Sequence, residues 1–154
     1  MGAGGAGRAV AYALANSGVN EIGVFDIDSE KSNNLQDMIK GIFSNFPIFY
    51  VDYIERLDIK NKDLLINCAP VGMKDSDPCL IKADMLHRNL FIYDLIYNPP
   101  ETKLLALAKK AGAKASNGLG MLLYQGALSF RHFTGQGEPI DVMRQALEEA
   151  VEKL

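Results

Sequence analysis

The stretch Met1-Gly2-Ala3-Gly4-Gly5-Ala6-Gly7 opens the chain and leads directly into an apolar helical pattern. Its glycines have the G-x-G-x-x-G spacing of a loop that joins a strand to a helix in dinucleotide-binding folds. There Gly2 allows a tight turn, Gly4 lets the backbone approach a pyrophosphate, and Gly7 lets the helix pack closely on its strand. The free N–H groups at the start of the helix favour a phosphate anion. We therefore predict a cofactor site at Gly2, Ala3, Gly4, Gly5, Ala6 and Gly7, with a plain glycine-rich turn as the alternative.

The strand that normally precedes such a loop has only one residue here, Met1. We therefore expect a fold that is truncated at its first strand. Because that strand is central in the fold, its neighbours would expose unpaired N–H and C=O groups. A partner chain could fill the gap, the chain could dimerise through the open edges, or other strands could rearrange. We favour association through an edge, either as a homo-oligomer or with a missing N-terminal part.

Short apolar strands alternate with helices along the whole chain. The strands are predicted at 21–25, 47–51, 63–67, 90–95 and 113–116, and the helices at 7–17, 30–43 with Ser29 as N-cap, 101–111, 120–131 and from Pro139 to Leu154, with a helical turn at 82–87. This order predicts an α/β fold, a Rossmann-like doubly wound parallel sheet with helices on both faces, in one domain over residues 1–154. Ligands bind beyond the carboxyl ends of such strands, where the loops at 67–73, 95–97 and 117–121 join the glycine loop.

Composition excludes several classes of function. The formal net charge is −3 and no lysine or arginine cluster occurs, which argues against a nucleic-acid or membrane-surface partner. No apolar run approaches the roughly 18 residues of a membrane span. The two cysteines, Cys68 and Cys79, do not have a zinc-binding spacing, and the two histidines form no ligand cluster, so no metal site is predicted. We expect a reduced, cytoplasmic protein.

Asp26 ends the second predicted element, about twenty residues after the glycines, where a ribose-binding acid is expected. Its carboxylate would accept hydrogen bonds from the ribose hydroxyls and would repel a 2′-phosphate. No arginine follows it, since the next residues are Ile27 and Asp28. The sequence therefore favours NAD, with NADP less suitable. The alternative is a solvated acid at the end of a strand.

Four motifs, in this order, extend over most of the chain: 2–9 (GAGGAGRA), 67–73 (NCAPVGM), 93–99 (YDLIYNP) and 117–127 (NGLGMLLYQGA). Together they resemble the C-terminal, NAD(P)-binding domain of the shikimate and quinate dehydrogenases. That resemblance implies reversible oxidation of a ring hydroxyl of shikimate or quinate to a ketone, with hydride passing to NAD(P). The Asp26-Ile27-Asp28 segment stands where NADP-using members carry an Asn-Arg-Thr clamp, and it resembles the NAD-using branch.

The resemblance also implies roles for the loop residues. Asn67, Cys68 and Ala69 would line the nicotinamide side of the cofactor, although members often have threonine or serine at the last two positions. Leu95 and Gly118 would offer backbone contacts to the nicotinamide half, with Met121 beside its ring. Tyr97 and Gln125 would hydrogen-bond the substrate. The catalytic lysine and aspartate of the family belong to an N-terminal substrate domain that nothing here matches, so we assign no catalytic residue and expect little or no turnover by this chain alone.

Simpler interpretations of the same residues stay open. Met121 could fill the core, Tyr97 could pack a turn, and Cys68 is better explained as a small apolar filler than as a nucleophile. Gln125 lies on an apolar helix, where a buried amide needs either backbone partners or a ligand. At the level of function, the alternatives are a non-catalytic module that binds NAD or a shikimate-like acid, and a Rossmann oxidoreductase for another substrate.

Overall fold

The computed structural model describes residues 1–151 and confirms the predicted α/β architecture. The helices are α1 (Gly5–Asn16), α2 (Ser29–Ile42), α3 (Lys103–Lys110), α4 (Leu119–Thr134) and α5 (Ile140–Val151), and the strands are β1 (Ile22–Val24), β2 (Ile48–Tyr50), β3 (Leu64–Asn67), β4 (Phe91–Asp94) and β5 (Lys114–Ser116). Short 3₁₀ turns occur at Ile54–Leu57, Ile59–Asn61 and Ala83–Met85. Residues 152–154 of the predicted final helix lie outside the described residues.

Two local predictions needed correction. Ser29 is not the N-cap of α2, because Asp28 takes that role and accepts hydrogen bonds from the N–H groups of Glu30 and Lys31. A carboxylate at this position can accept two hydrogen bonds, and its negative charge is stabilised by the positive end of the helix dipole. The helical turn predicted at 82–87 is a shorter 3₁₀ turn, and the first two 3₁₀ turns were not predicted at all.

All strand pairs in the described part of the chain are parallel, but they form two separate sheets. One sheet has the order β1-β2, with Gly23 opposite Phe49. The other has the order β3-β4-β5, with Ile66 opposite Tyr93 and Tyr93 opposite Ser116. In the described part of the chain, β1 and β3 are therefore edge strands that do not pair with each other.

Met1 and Gly2 connect the two sheets at the carboxyl ends of their strands. The Met1 amino group donates to the Ile66 carbonyl at 2.7 Å, and the Cys68 N–H donates to the Met1 carbonyl at 2.7 Å. The Gly2 N–H donates to the Phe25 carbonyl at 2.8 Å. This short piece of chain hydrogen-bonds to both edges and fixes the glycine loop between them.

The hydrophobic core is divided in the same way as the sheet. One cluster, beneath α1 and α2, contains Ala3, Ala11, Ala15, Val24, Leu35, Ile39 and Ile48. The other packs around β3, β4 and α3 and contains Ile54, Leu57, Ile59, Leu65, Ile81, Leu90, Ile92, Leu104, Leu105 and Ala108. Helix α5 has no buried residue in its described span, so it lies outside both clusters.

Within residues 1–151, no helix combines the length and the apolar character that crossing a bilayer requires.

Candidate functional site

The glycine loop is compact on one side and open on the other. Gly2 has a φ of +88°, and a Cβ there would stand 2.7 Å from the Ala69 nitrogen. A Cβ on Gly7 would stand 2.1 Å from the Gly2 carbonyl oxygen, so this glycine packs against the loop itself. Gly4 and Gly5 would meet nothing within 4 Å. The loop therefore leaves free space beside the start of α1, on the side where a phosphate can approach.

The start of α1 offers backbone donors to that free space. Gly4 is the N-cap, and no side chain caps the helix. The first N–H groups of an α-helix have no partner inside the helix, and together with the dipole they make an anion site. The residues present therefore fit a pyrophosphate, which would be held by backbone N–H groups of the loop and the first turn.

Asp26 is attached directly to this loop. Its Oδ2 accepts from the Ala3 N–H at 2.7 Å, and its Oδ1 accepts from the Asp28 N–H at 2.9 Å. Asp28 adds a second carboxylate, whose pKa is lowered chiefly by the hydrogen bond from the backbone N–H of Lys31. Between them, Ile27 is 97% exposed. The end of β1 thus presents negative charge and an apolar side chain to the space beside the glycine loop.

A buried polar network joins the ends of β3 and β4. Asp94 is 0% exposed, and its carboxylate accepts from the Asn67 amide at 2.9 Å, the Thr102 hydroxyl at 2.7 Å and the Ile96 N–H at 3.2 Å. Thr102 in turn accepts from the Leu105 N–H as N-cap of α3. We call the loops at the carboxyl ends of the strands the rim. The network therefore fixes two loops of the rim and the start of α3 relative to one another.

This network changes the interpretation of Asn67. Its side chain is buried, with the amide bound to Asp94 and to the Val71 carbonyl and the amide oxygen accepting from the Ala69 N–H. The polar atoms of the Asn67 side chain are therefore already bonded within the protein, and they shape the 67–73 loop from inside. That Asn67, Cys68 and Ala69 line the nicotinamide side of the cofactor remains a prediction.

Cys68 supports the filler interpretation. Its thiol is half-buried, and desolvation by burial raises the pKa of the Cys68 thiol above its ordinary value. A reactive cysteine needs the opposite shift, because the thiolate is the nucleophile. Cys68 therefore provides a small side chain beneath the glycine loop rather than a reactive group.

The loops after β4 and β5 are in direct backbone contact. The Gly118 N–H donates to the Ile96 carbonyl at 3.1 Å, and a Cβ on Gly118 would stand only 2.0 Å from the Leu95 carbonyl oxygen. The Asn117 amide also donates to the Pro100 carbonyl at 3.0 Å. The structure thus brings Leu95 and Gly118 together, and any Cβ at position 118 would overlap the Leu95 backbone. Their predicted contacts with the nicotinamide remain a prediction.

The 72–77 segment is held by a residue that the sequence analysis missed. Asp77 accepts from the N–H groups of Gly72 at 2.9 Å and Lys74 at 3.1 Å, and these two bonds are the main causes that lower the pKa of its carboxyl. Lys103 donates to the carbonyls of Asp75 and Asp77. The loop that follows β3 is therefore tied to α3 at its far end.

No group of three or more histidine, cysteine, aspartate or glutamate side chains in the described residues could hold a metal ion.

Comparison with known proteins gives matches along nearly the whole chain. The model of the shikimate 5′-dehydrogenase C-terminal domain matches residues 118–148. A shikimate dehydrogenase (NADP(+)) of Methanopyrus kandleri is 42% identical over 154 residues, covering 97% of this chain and 53% of that protein. This chain belongs to the shikimate dehydrogenase family.

Solved structures of this family have the same fold. Quinate dehydrogenase from Corynebacterium glutamicum in complex with NAD matches with a TM-score of 0.87 and 31% identity, over 96% of this chain and 53% of that one. A shikimate dehydrogenase in complex with NADP+ matches with a TM-score of 0.85 and 38% identity, over 97% and 53%. The chain spans about half the length of the family members it matches.

The residues that the family resemblance assigns to the nicotinamide and substrate side are partly exposed. Tyr97 is 39% exposed and Met121 is 38% exposed, so neither is a simple core filler. Gln125 is exposed, and its amide donates to the Leu122 carbonyl at 3.2 Å. The expectation of a buried amide at Gln125 is wrong, because α4 turns Leu123 and Ala127 inward instead.

Besides Asp77, the sequence analysis overlooked two structural residues at this site, Asp94 and Thr102. A usable signal existed for Asp94, since an acid follows Phe91-Ile92-Tyr93 inside an apolar run where a charge needs a buried partner. Thr102 gave the weaker signal of an N-cap residue before a helix.

Proposed function

We propose that this chain is the cofactor-binding half of a shikimate or quinate dehydrogenase, which transfers hydride between a nicotinamide dinucleotide and a ring hydroxyl of the substrate. The observation that carries the proposal is the rim itself. The open glycine loop, Asp26 and the joined loops at Leu95 and Gly118 lie at the carboxyl ends of parallel strands. That is where this class of fold binds dinucleotides.

The roles of the chain's own residues follow from their contacts. Backbone N–H groups of the loop and of α1 would hold the pyrophosphate. Cys68, Ala69, Leu95, Gly118 and Met121 would border the nicotinamide and exclude water from one side of it. The nicotinamide, when bound, supplies the hydride acceptor. The proton of the reacting hydroxyl needs an acid or base in hydrogen-bond reach, which we assign to a substrate-binding domain and not to this chain.

We further propose that the cofactor is NAD in preference to NADP. The two bonds to the Asp26 carboxylate leave lone pairs that can accept from ribose hydroxyls, while Asp26 and Asp28 both oppose a 2′-phosphate. The relatives include both cofactors, since the Methanopyrus kandleri protein is a shikimate dehydrogenase (NADP(+)) and the quinate dehydrogenase structure is a complex with NAD.

Calorimetric titration with NAD and with NADP tests both proposals. We expect saturable binding of NAD and at least about tenfold weaker binding of NADP, a difference of about 1.4 kcal/mol. Asp26→Asn is expected to weaken the binding of NAD and to reduce the ratio of the NAD affinity to the NADP affinity, because it removes the charge and one acceptor. Glu30→Gln, an exposed neighbour in the first turn of α2, serves as the charge-matched control and should leave the ratio unchanged. Equal affinities for NAD and NADP in the unmodified chain would refute the preference, and binding of neither would refute a cofactor site in the chain alone.

For the substrate we propose that Tyr97 and Gln125 hydrogen-bond the hydroxyl or carboxylate groups of shikimate or quinate. Both side chains are partly free to reach a ligand, and the one bond of the Gln125 amide is to a carbonyl of its own helix. Replacing that bond with a ligand contact costs little, since the carbonyl keeps its helical partner.

The substrate role is tested in an enzyme that joins this chain to the substrate-binding domain of a family member. Gln125→Ala is expected to raise the Michaelis constant for shikimate about tenfold, the loss of one or two hydrogen bonds. Gln145→Ala on α5, where the amide donates to Glu149, is the matched control and should not change it. An unchanged Michaelis constant for Gln125→Ala would remove this residue from the substrate site. Full dehydrogenase activity restored by the added domain would distinguish the enzyme from a module that only binds its ligands.

A further inference from the structure

We call the segment after β3, residues 68–77, the β3 loop. Its first half contains Cys68 and Ala69, which are proposed to border the nicotinamide. Asn67 holds this half, because its amide donates to the Val71 carbonyl at 3.3 Å and its amide oxygen accepts from the Ala69 N–H at 3.2 Å. The second half, residues 72–77, continues directly from it. The position of the first half therefore also depends on what holds the second.

One carboxylate oxygen joins two turns of the β3 loop. The first turn is closed by the Met73 N–H, which donates to the Pro70 carbonyl at 3.3 Å. The second is closed by the Asp77 N–H, which donates to the Lys74 carbonyl at 2.9 Å. Oδ2 of Asp77 accepts from the N–H groups of Gly72 and Lys74 at 2.9 and 3.1 Å. Residues 73–76 are exposed, so polar bonds rather than burial hold this part of the loop.

Lys103 attaches the second half of the loop to α3. Its Nζ donates to the carbonyl oxygens of Asp75 at 2.7 Å and Asp77 at 2.6 Å. Lys103 is the first residue of α3 and directly follows Thr102, whose hydroxyl donates to the buried Asp94 carboxylate. We call the Asp77 carboxylate, the Lys103 ammonium group and the loop groups that they bond the loop clip. The clip therefore connects the exposed loop to the buried network at the start of α3.

Lys103 lies at an unfavourable place for the helix that carries it. The positive end of a helix dipole disfavours a cation in the first turn. That turn, which the structure describes in full, has no acidic residue, and the other lysines near the end of α3, Lys109 and Lys110, are in the last turn, where the dipole favours them. Exposed contacts between charged groups also add little stability. Helix stability therefore does not explain a lysine at this position, whereas its two bonds to the loop do.

The clip is suited to selecting one conformation of the loop. An exposed segment with few apolar contacts opens locally at a low free energy. Hydrogen bonds in which one partner is charged are stronger than neutral ones, and all four bonds of the clip are of this kind. When only a fraction of the molecules has the conformation that binds a ligand, the apparent dissociation constant rises by the inverse of that fraction. Loss of the clip should therefore weaken only a ligand that contacts the loop.

We propose that Asp77 and Lys103 are positioning residues for the cofactor, which hold the β3 loop in the conformation that borders the nicotinamide and so set the affinity for the nicotinamide half of NAD. This inference rests on the proposed function of the chain. Both residues act through the loop, and neither is assigned a contact with the cofactor.

The test is calorimetric titration with NAD and with ADP-ribose, which keeps the adenosine and the pyrophosphate but lacks the nicotinamide ring. Lys103→Met is expected to weaken NAD about fivefold and to leave the affinity for ADP-ribose within about twofold. Its melting temperature should change by no more than roughly 2 °C, because the lost bonds are exposed and a cation is removed from the positive end of the dipole. Equal NAD affinity in Lys103→Met and the unmodified chain would overturn the proposal, and so would an equal loss of both ligands.

Asp77→Ala tests the other half of the clip. It is expected to give the same selective loss of NAD, whereas Asp75→Ala should leave both ligands unchanged. Asp75 is the matched control because, among the described contacts, it contributes only its backbone carbonyl to the clip. The double variant Asp77→Ala, Lys103→Met should bind NAD about as weakly as either single variant, since the two residues act on one loop. Fully additive losses, or a loss in Asp75→Ala equal to that in Asp77→Ala, would contradict the clip.

Hydrogen exchange gives a readout that does not depend on the cofactor. The amides of Gly72 and Lys74 should exchange at least about tenfold faster in Asp77→Ala than in Asp75→Ala. Equal exchange would overturn the proposal. Its failure also differs from failure of the proposed function. If the unmodified chain binds NAD and the clip variants bind it equally well, only the role of the clip is refuted. If the unmodified chain binds neither NAD nor ADP-ribose, the cofactor site is refuted and the role of the clip with it.

Discussion

Gly118→Ala is expected to destabilise the chain by about 3 kcal/mol, the upper range for a forced overlap in a packed site. The new Cβ would stand 2.0 Å from the Leu95 carbonyl oxygen and 2.6 Å from its carbon, and both atoms are backbone, which cannot rotate away. The φ of Gly118 is −76°, which alanine adopts without strain, so the whole effect comes from this contact. The melting temperature should fall by roughly 10 °C.

Gly120→Ala is the matched control, two residues later and within α4. A Cβ there meets nothing within 4 Å, and alanine in place of glycine favours a helix by up to about 1 kcal/mol. We therefore expect Gly120→Ala to leave the melting temperature unchanged or raise it. If the two variants melt alike, the close contact between the loops after β4 and β5 does not exist in solution. Weaker NAD binding by Gly118→Ala alone would further support the role of this contact at the cofactor site.

Asp94→Ala is expected to destabilise the chain by about 3 kcal/mol as well, for a different reason. It leaves the Thr102 hydroxyl and the Ile96 N–H buried without their acceptor, and each such group costs about 1–3 kcal/mol. Relief from burying the Asp94 charge offsets part of that loss. Chemical denaturation followed by circular dichroism measures the change.

Asp94→Asn distinguishes the contribution of the hydrogen-bond network from that of the buried charge, because it removes the charge and keeps a side chain that can form hydrogen bonds. The amide keeps one acceptor, and its N–H can donate to the Thr102 oxygen, so about half of the loss should be recovered. A double-mutant cycle with Asn67→Ala should give a coupling energy of about 1 kcal/mol or more, because the two side chains are in contact at 2.9 Å. Strictly additive effects, or an Asp94→Ala chain as stable as the original, would show that the network does not organise the rim.

The fold could be predicted largely from local pattern. The glycine spacing and the short apolar runs each depend on a few neighbouring residues, and they placed every helix and strand of the described chain within a few positions. The sequence predicted one doubly wound parallel sheet, so the division of the strands into two sheets was not predicted. What the sequence did not show is that β1 and β3 keep their places on either side of a cavity.

The candidate site could be predicted less completely, because its support is not local. Asp94 finds Asn67 across 27 residues of sequence, and Asp77 reaches back to cap the turn at Gly72. No periodic pattern in the sequence indicates either pairing. The error at Gln125 had a different cause: leucines on both sides suggested a buried face, but only the face that carries Leu123 and Ala127 packs inward.

The division of the hydrophobic core has a consequence for how the molecule responds to heat and to substitution. The cluster around Leu35 and Ile39 and the cluster around Leu90 and Ile92 are distinct bodies of packed side chains, and the sheet does not continue between them. Cooperative unfolding requires that the loss of one body costs the other its contacts. Here Met1 and Gly2 bond to both sheets, Phe25 and Val51 pack against the second cluster, and Lys62 pairs with Glu21. These few contacts therefore act as the thermodynamic link that makes one folding unit out of two.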